Sequence, residues 1–168
     1  MIYWAFFIIS LFIGGYNYLL DEAKAHTQAD NNSLINYVDK SRLALTTWRN
    51  TNTGVSAEVT FNELSFPQGL ALIKREDTRF FVDTRGIYIA IQNSPPGAAN
   101  ALAKEFSAPT GIAAHRRIGY YHVGLKGTNG CLTPVFGYVD AAVPQGNCSR
   151  LLPASINTGS LVITDEDV

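Results

Sequence analysis

Residues 79–91 read RFFVDTRGIYIAI. Two runs rich in aromatic and β-branched residues, 79–83 and 87–91, flank Thr84, Arg85 and Gly86. Such side chains suit a pleated surface. A short link containing Gly between two of these runs predicts an antiparallel hairpin.

Downstream, the pattern changes to a short helix. Ser94 is placed to cap it and Pro95 fits a first turn. Residues 98–106 are helix formers, with Ala99, Leu102 and Phe106 on one face, and Pro109 stops the run. Residues 118–125, IGYYHVGL, read as another strand, and 127–130, GTNG, as a turn. Residues 161–164 form a final strand before the acidic tail Asp165, Glu166 and Asp167.

Upstream, apolar side chains recur at helical spacing. Leu34, Tyr37, Val38, Ser41, Leu45 and Trp48 fall on one stripe about 100° wide. Asn36, Asp39, Lys40 and Thr47 lie off that stripe and are expected in solvent. The helix is expected to end near Asn50, because TNTG follows and Gly54 is a natural terminator. An amphipathic stripe must bury itself, and the chain after it is largely β. The fold class expected is therefore α+β, with an amphipathic helix packed on an antiparallel sheet.

The chain begins MIYWAFFIISLFIGGYNYLL, residues 1–20, without a side-chain charge. About 20 apolar residues at 1.5 Å rise span a bilayer core of roughly 30 Å. Tyr3 and Trp4 near one end, and Tyr16 and Tyr18 near the other, suit the two membrane interfaces, where amphipathic rings prefer to lie. Asp21, Glu22 and Lys24 end the run. A cleaved export signal is the competing reading, since Ala23-Lys24-Ala25 has the small-x-small spacing of a cleavage site. A buried soluble helix is the third. The absence of Lys or Arg before the run and its length favour a transmembrane anchor. Residues 21–33 read either as a linker, with Asn31, Asn32 or Ser33 capping a new helix, or as the exposed middle of one long helix. Residues 34–168 form the exported domain.

The 168 residues allow one ordinary domain and an anchor. Charged residues make up 16% and the net charge is -1. With no Lys/Arg block, a nucleic-acid partner is not expected. The two cysteines, Cys131 and Cys148, are expected to pair in an oxidising compartment. They enclose LTPVFGYVDAAVPQGN, whose Pro and Gly residues make a loop that local structure holds poorly. Neither zinc-ligand spacing nor a C-x-x-C redox motif is present.

No catalytic constellation stands out. His26 lies in a polar stretch, His115 precedes Arg116-Arg117, and His122 falls within an aromatic strand. No Ser sits in a G-x-S-x-G elbow. Residues 124–128, GLKGT, lack the order of a phosphate loop. The Lys74-Arg75-Glu76-Asp77 run reads as a solvated turn. Neither cofactor nor metal nor small-molecule substrate is expected, and the default reading is not an enzyme.

Arg117-Ile118-Gly119 and the stretch from Leu152 to Val162, LPASINTGSLV, resemble the C-terminal part of the thin-pilus PilM family. These are small inner-membrane proteins of type IVb and conjugative pilus systems. The amphipathic helix and the FFVDTRGIY hairpin sit where that family has comparable segments. A hydrophobic N-terminal helix and a disulfide near the C-terminus also match the plan of a type IV pilin. The resemblance implies a single-pass protein of the bacterial inner membrane, its C-terminal domain in the periplasm. There it would bind other pilus-assembly proteins or pilins. The chain departs from prepilins: Gly15 is followed by Tyr16-Asn17-Tyr18, and no Glu precedes Glu22. An unprocessed assembly component is therefore expected, with a minor pilin-like or adhesin-type surface subunit as the alternative.

Overall fold

The computed structural model describes residues 2–66, 72–106, 120–134 and 151–166; of residues 2–19, 120–122, 134 and 166 only the backbone is described. The architecture is α+β, with one antiparallel sheet behind a long N-terminal helix.

Helix α1 runs unbroken from Ile2 to Thr51, 50 residues and about 75 Å at 1.5 Å per residue. No second start occurs at Asn31, Asn32 or Ser33. The stretch expected to be a linker or a helix continuation is the latter. Its propensity is adequate, and Thr27 returns its hydroxyl to the Ala23 carbonyl at 2.9 Å without interrupting the ladder. α1 stops at Thr51, and Gly54 follows with φ 79°, a conformation costly for a side chain with a Cβ. Among the described residues no helix is long and apolar enough to cross a membrane. The side chains of residues 1–19, Tyr3, Trp4, Tyr16 and Tyr18 included, lie outside the described residues.

The sheet holds β1 (Ala57–Val59), β2 (Thr78–Val82), β3 (Gly86–Ile91), β4 (Tyr120–Lys126), β5 (Leu132–Pro134) and β6 (Leu161–Glu166). Their order is β1-β2-β3-β6-β4-β5, each neighbour antiparallel. The expected hairpin is β2–β3, with Phe80 opposite Ile89 and Val82 opposite Ile87. Its turn is closed by the Asp83 amide donating to the Gly86 carbonyl at 3.0 Å. β3 is buried along its whole length, which is why GIYIAI is almost continuously apolar. The C-terminal strand lies between β3 and β4, in the middle of the sheet.

Several expectations shift. The short helix α2 spans Ala98–Phe106, so Ser94 and Pro95 precede it; the chain first makes a turn closed by the Ala98 amide on the Pro95 carbonyl. The strand expected at 118–125 is β4, two residues later; residues 118 and 119 lie outside the described residues. β1, β5 and a single 3-10 turn at Phe61–Glu63 had no clear signal, being three residues each. The acidic tail is not all tail. Asp165 is in β6, and its carboxylate takes the Arg42 guanidinium at 3.4 Å, tying α1 to the centre of the sheet.

Pleating sends alternate residues to opposite faces. One face carries Phe80, Val82, Ile87, Ile89, Ile91, Val123, Leu161 and Ile163. Against it lie the α1 stripe, Leu34, Tyr37, Val38 and Leu45, all buried, and Leu102 and Phe106 of α2. Trp48 packs at the margin, half-buried. Asn36, Asp39 and Thr47 are exposed, but Lys40 is partly covered. The other face carries Phe81, Tyr88, Ala90 and Val162, covered by Leu152 and Ile156 from the segment before β6.

Candidate functional site

The second sheet face is closed by a loop, residues 151–156, reading LLPASI. A loop has no ladder to satisfy its carbonyls, so buried ones need donors from elsewhere. Here three cations donate to the loop, Lys126 from a buried position and Arg79 and Arg85 at its exposed edge. Lys126, at the end of β4, is only 6% exposed. Its ammonium donates to the carbonyls of Pro153 at 2.8 Å, Ala154 at 3.3 Å and Ile156. Arg79 of β2 donates to the Ser155 carbonyl at 3.1 Å, and Arg85 of the hairpin turn to the Leu151 carbonyl at 2.7 Å. Of residues 151–156, only Leu152 has a carbonyl outside this set; its amide instead donates to the Gly130 carbonyl at 2.9 Å.

Each cation is itself positioned. Arg79 forks onto the Glu58 carboxylate of β1, the Nε bond measuring 2.6 Å, and its guanidinium lies 5.2 Å from the Phe81 ring centre. Arg85 donates to the Asp83 carboxylate at 3.1 Å and lies 5.9 Å from the Tyr88 ring centre. Asp83 also accepts from the Arg85 amide at 2.8 Å, the Gly86 amide at 3.0 Å and the Tyr88 hydroxyl at 3.0 Å. Burial pushes its carboxyl pKa up, but these hydrogen bonds outweigh that and hold it below the usual aspartate value. Burial moves the Lys126 ammonium the other way from a solvated lysine, lowering its pKa.

A covalent tie completes the clamp. Cys131 is disulfide-bonded and pairs in a β-bridge with Leu151. The chain's other cysteine, Cys148, the partner expected from the sequence, lies outside the described residues.

The arrangement can hold a surface still. Lys126 spends its ammonium donors on three carbonyls. Among the described residues no three His, Cys, Asp or Glu side chains group to hold a metal. His26 is exposed, 3.9 Å from Glu22. His115 and the side chain of His122 lie outside the described residues. Sequence reasoning singled out Cys131 but missed Arg79, Arg85 and Lys126 as loop donors. The available signal was a basic residue placed among aromatic and apolar strand residues, as in RFF and GLK. Glu58 and the 151–156 carbonyls, distant in sequence, could not be matched to them.

The other exposed feature is the middle of α1. Residues 20–30, 32 and 33 are exposed, with Asn31 partly covered. Asp21–Lys24 at 3.6 Å and Glu22–His26 at 3.9 Å are solvated pairs and add little. An isolated helix this short and this polar is marginal in water. It is sustained as the middle of a longer helix whose far end is packed on the sheet. No known protein family, curated protein or solved structure matches the chain.

Proposed function

We propose that the chain is an anchored structural component of a type IVb or conjugative thin pilus assembly in the bacterial inner membrane. Residues 1–20 cross the bilayer, residues 21–33 form a strut, and the periplasmic domain binds other pilus-assembly proteins. The observation that carries the reading is the uninterrupted α1: one helix joins a charge-free run to a stripe buried on the sheet. A continuous helix of 13 residues beyond Leu20 lifts the domain about 20 Å and fixes its direction. The disulfide at Cys131 supports an oxidising compartment.

A flexible insertion tests this. Six Gly and Ser residues placed between Gln28 and Ala29 should leave the chain in the carbonate-washed membrane pellet and the domain folded. Pilus assembly should nevertheless fall severely, because tethering without orientation lowers the effective concentration of the binding face. Normal pili from that variant would sink the strut. Release of the native chain by carbonate, with a new N-terminus near His26, would sink the anchor.

The long N-terminal helix with a disulfide-tied C-terminal loop favours one second reading, a minor pilin-like or adhesin-type subunit. Recovery of the chain as a subunit of purified pili would favour it over the assembly component.

A further inference from the structure

We propose that the notch between α1 and α2 seats the outer face of the polar α1 segment of a second copy of this chain, the two helices standing side by side above the membrane. The proposal rests on the anchor reading above. The notch follows α1 from Leu20 to Ile35, about four turns or 22 Å at 1.5 Å per residue, and α2 walls it with Ala101, Lys104 and Glu105. A site this elongated matches a helix better than a compact ligand. α2 is held by its buried Leu102 and Phe106, so the wall is rigid.

The two sides of this α1 segment differ in charge. Between residues 20 and 33 the chain has three acids and one lysine. Lys24 lies on the notch, whereas Asp21, Glu22 and Asp30 lie off it. With Lys104 and Glu105 from α2, the lining carries two ammonium groups against one carboxylate. The face turned away carries three carboxylates and His26, with no lysine or arginine. Ala25, Ala29 and Ser33 follow one another on that face at a spacing of four and let a neighbouring backbone approach. Asp21 pairs with Lys24 within one copy at 3.6 Å, but their side chains are 78% and 76% exposed, so the pair contributes little and can exchange partners.

A second copy fits because it brings this acidic face to the same level. Anchored chains enter the membrane at one depth, so two parallel α1 helices stand in register. Lys24 of one copy is then only about 3–5 Å further along the axis than Asp21 and Glu22 of the next. The notch and the acidic face are different surfaces, so the contact runs head to tail and builds a row or ring of copies. A strip about 22 Å long and one helix, about 10 Å, wide falls short of the roughly 800 Å² per partner of a standard stable interface. The contact is therefore weak between free domains. It depends on the membrane, which confines the copies to one layer and raises their effective concentration.

Cross-linking of the full chain in cell membranes tests this. A chain carrying Ala25→Cys on the acidic face and Ala101→Cys on the notch is treated with a short bismaleimide, the Cys131 sulfur being blocked by its disulfide. The expected product is a ladder of dimers, trimers and higher species. Neither single variant should give it, because each face meets the other and not itself. Placing the second cysteine at Lys74→Cys, elsewhere on the domain, should also abolish it. Lys24→Glu with Lys104→Glu should cut the ladder about tenfold, about threefold per lysine. Adding Asp21→Lys and Glu22→Lys to the same chain should restore it, which a folding defect would not allow. Dimers from Ala25→Cys alone overturn the proposal, since like faces then meet. So does a ladder that the charge reversals leave unchanged, or a product in which one copy is joined only to a different protein. Alkaline carbonate extraction separates the two levels: retention without a ladder overturns the contact alone, whereas release of the chain overturns the anchor and the contact with it.

Discussion

The two faces of the sheet are closed by different forces. The helix-covered face buries a continuous apolar surface, with Leu34, Val38, Leu45 and Leu102 fully excluded from water. It needs no special fastening, because each such side chain contributes about 1.5–3 kcal/mol on burial. Among the described residues, Leu152 and Ile156 cover the loop side from above. That does not offset the entropy of ordering a loop. Three cations and a disulfide make up the difference. The comparison teaches that an α+β sheet can be two-sided with one helical layer, provided the other side is clamped by charge and covalent constraint.

The largest expected effect lies on the helical side. Leu45→Ala should cost about 2–5 kcal/mol, since the side chain is fully buried and the helix cannot collapse into the space. Denaturant unfolding would measure it. Trp48→Ala should cost less than a fully buried Trp, because Trp48 sits at the margin. If Leu45→Ala were harmless and Leu152→Ala severe, the assignment of forces to the two faces would be reversed.

The clamp should respond to charge and redox. Lys126→Met keeps the stem but strips donors from three carbonyls; the expected loss is about 3 kcal/mol. Cys131→Ser should cost about 3 kcal/mol if chain entropy over the closed loop dominates. Both changes should open residues 151–156 to proteolysis before the domain unfolds, whereas Leu45→Ala should lower global stability. Hydrogen exchange at the Leu152 amide, bonded to Gly130, reads the difference directly. Gly124→Val belongs with the sheet itself: a Cβ there would run into the Thr133 carbonyl of β5, so the β4–β5 edge should separate.

These outcomes follow how the sequence could be read. The hairpin, the α1 stripe and α2 announced themselves through periodicity, because burial of one face leaves a mark every two or every 3.6 residues. The continuity of α1 through 21–33 did not, since polar residues permit a helix without demanding one. The second face was invisible for a related reason. Its cover is a loop with two apolar anchors, and its fasteners are single basic residues, Arg79, Arg85 and Lys126, whose partners lie 76, 66 and 27–30 residues away. Local pattern carries no information about a carbonyl that far along the chain. Asp165 misled for the opposite reason: a terminal run of acids resembles a solvated tail, although Asp165 is only 15% exposed at its side chain and pairs with Arg42.

The smallest effect sharpens the comparison most, because it separates the faces by pH alone. Asp83 belongs to the clamped side, where its carboxylate orients Arg85, and its pKa is held below the usual value by hydrogen bonds from Arg85, Tyr88 and Gly86. A carboxyl depressed on folding stabilises the native state above its unfolded pKa, near 3.8, and loses that contribution as pH falls through the lower folded value. Between pH 6 and the unfolded pKa the contribution is constant. Below it, stability should decline, with the 151–156 loop opening first as Arg85 loses its charged support. Asp83→Asn should cost about 1–2 kcal/mol at neutral pH, since an amide still accepts some of these bonds. The same substitution should flatten the part of the acid decline that comes from this site. Leu45→Ala removes no titrating group, so it should shift the stability curve without changing its acid slope. An unchanged slope in the Asp83→Asn variant would mean that other carboxylates set the acid limit, and the clamp would then owe its strength to Lys126 and the disulfide.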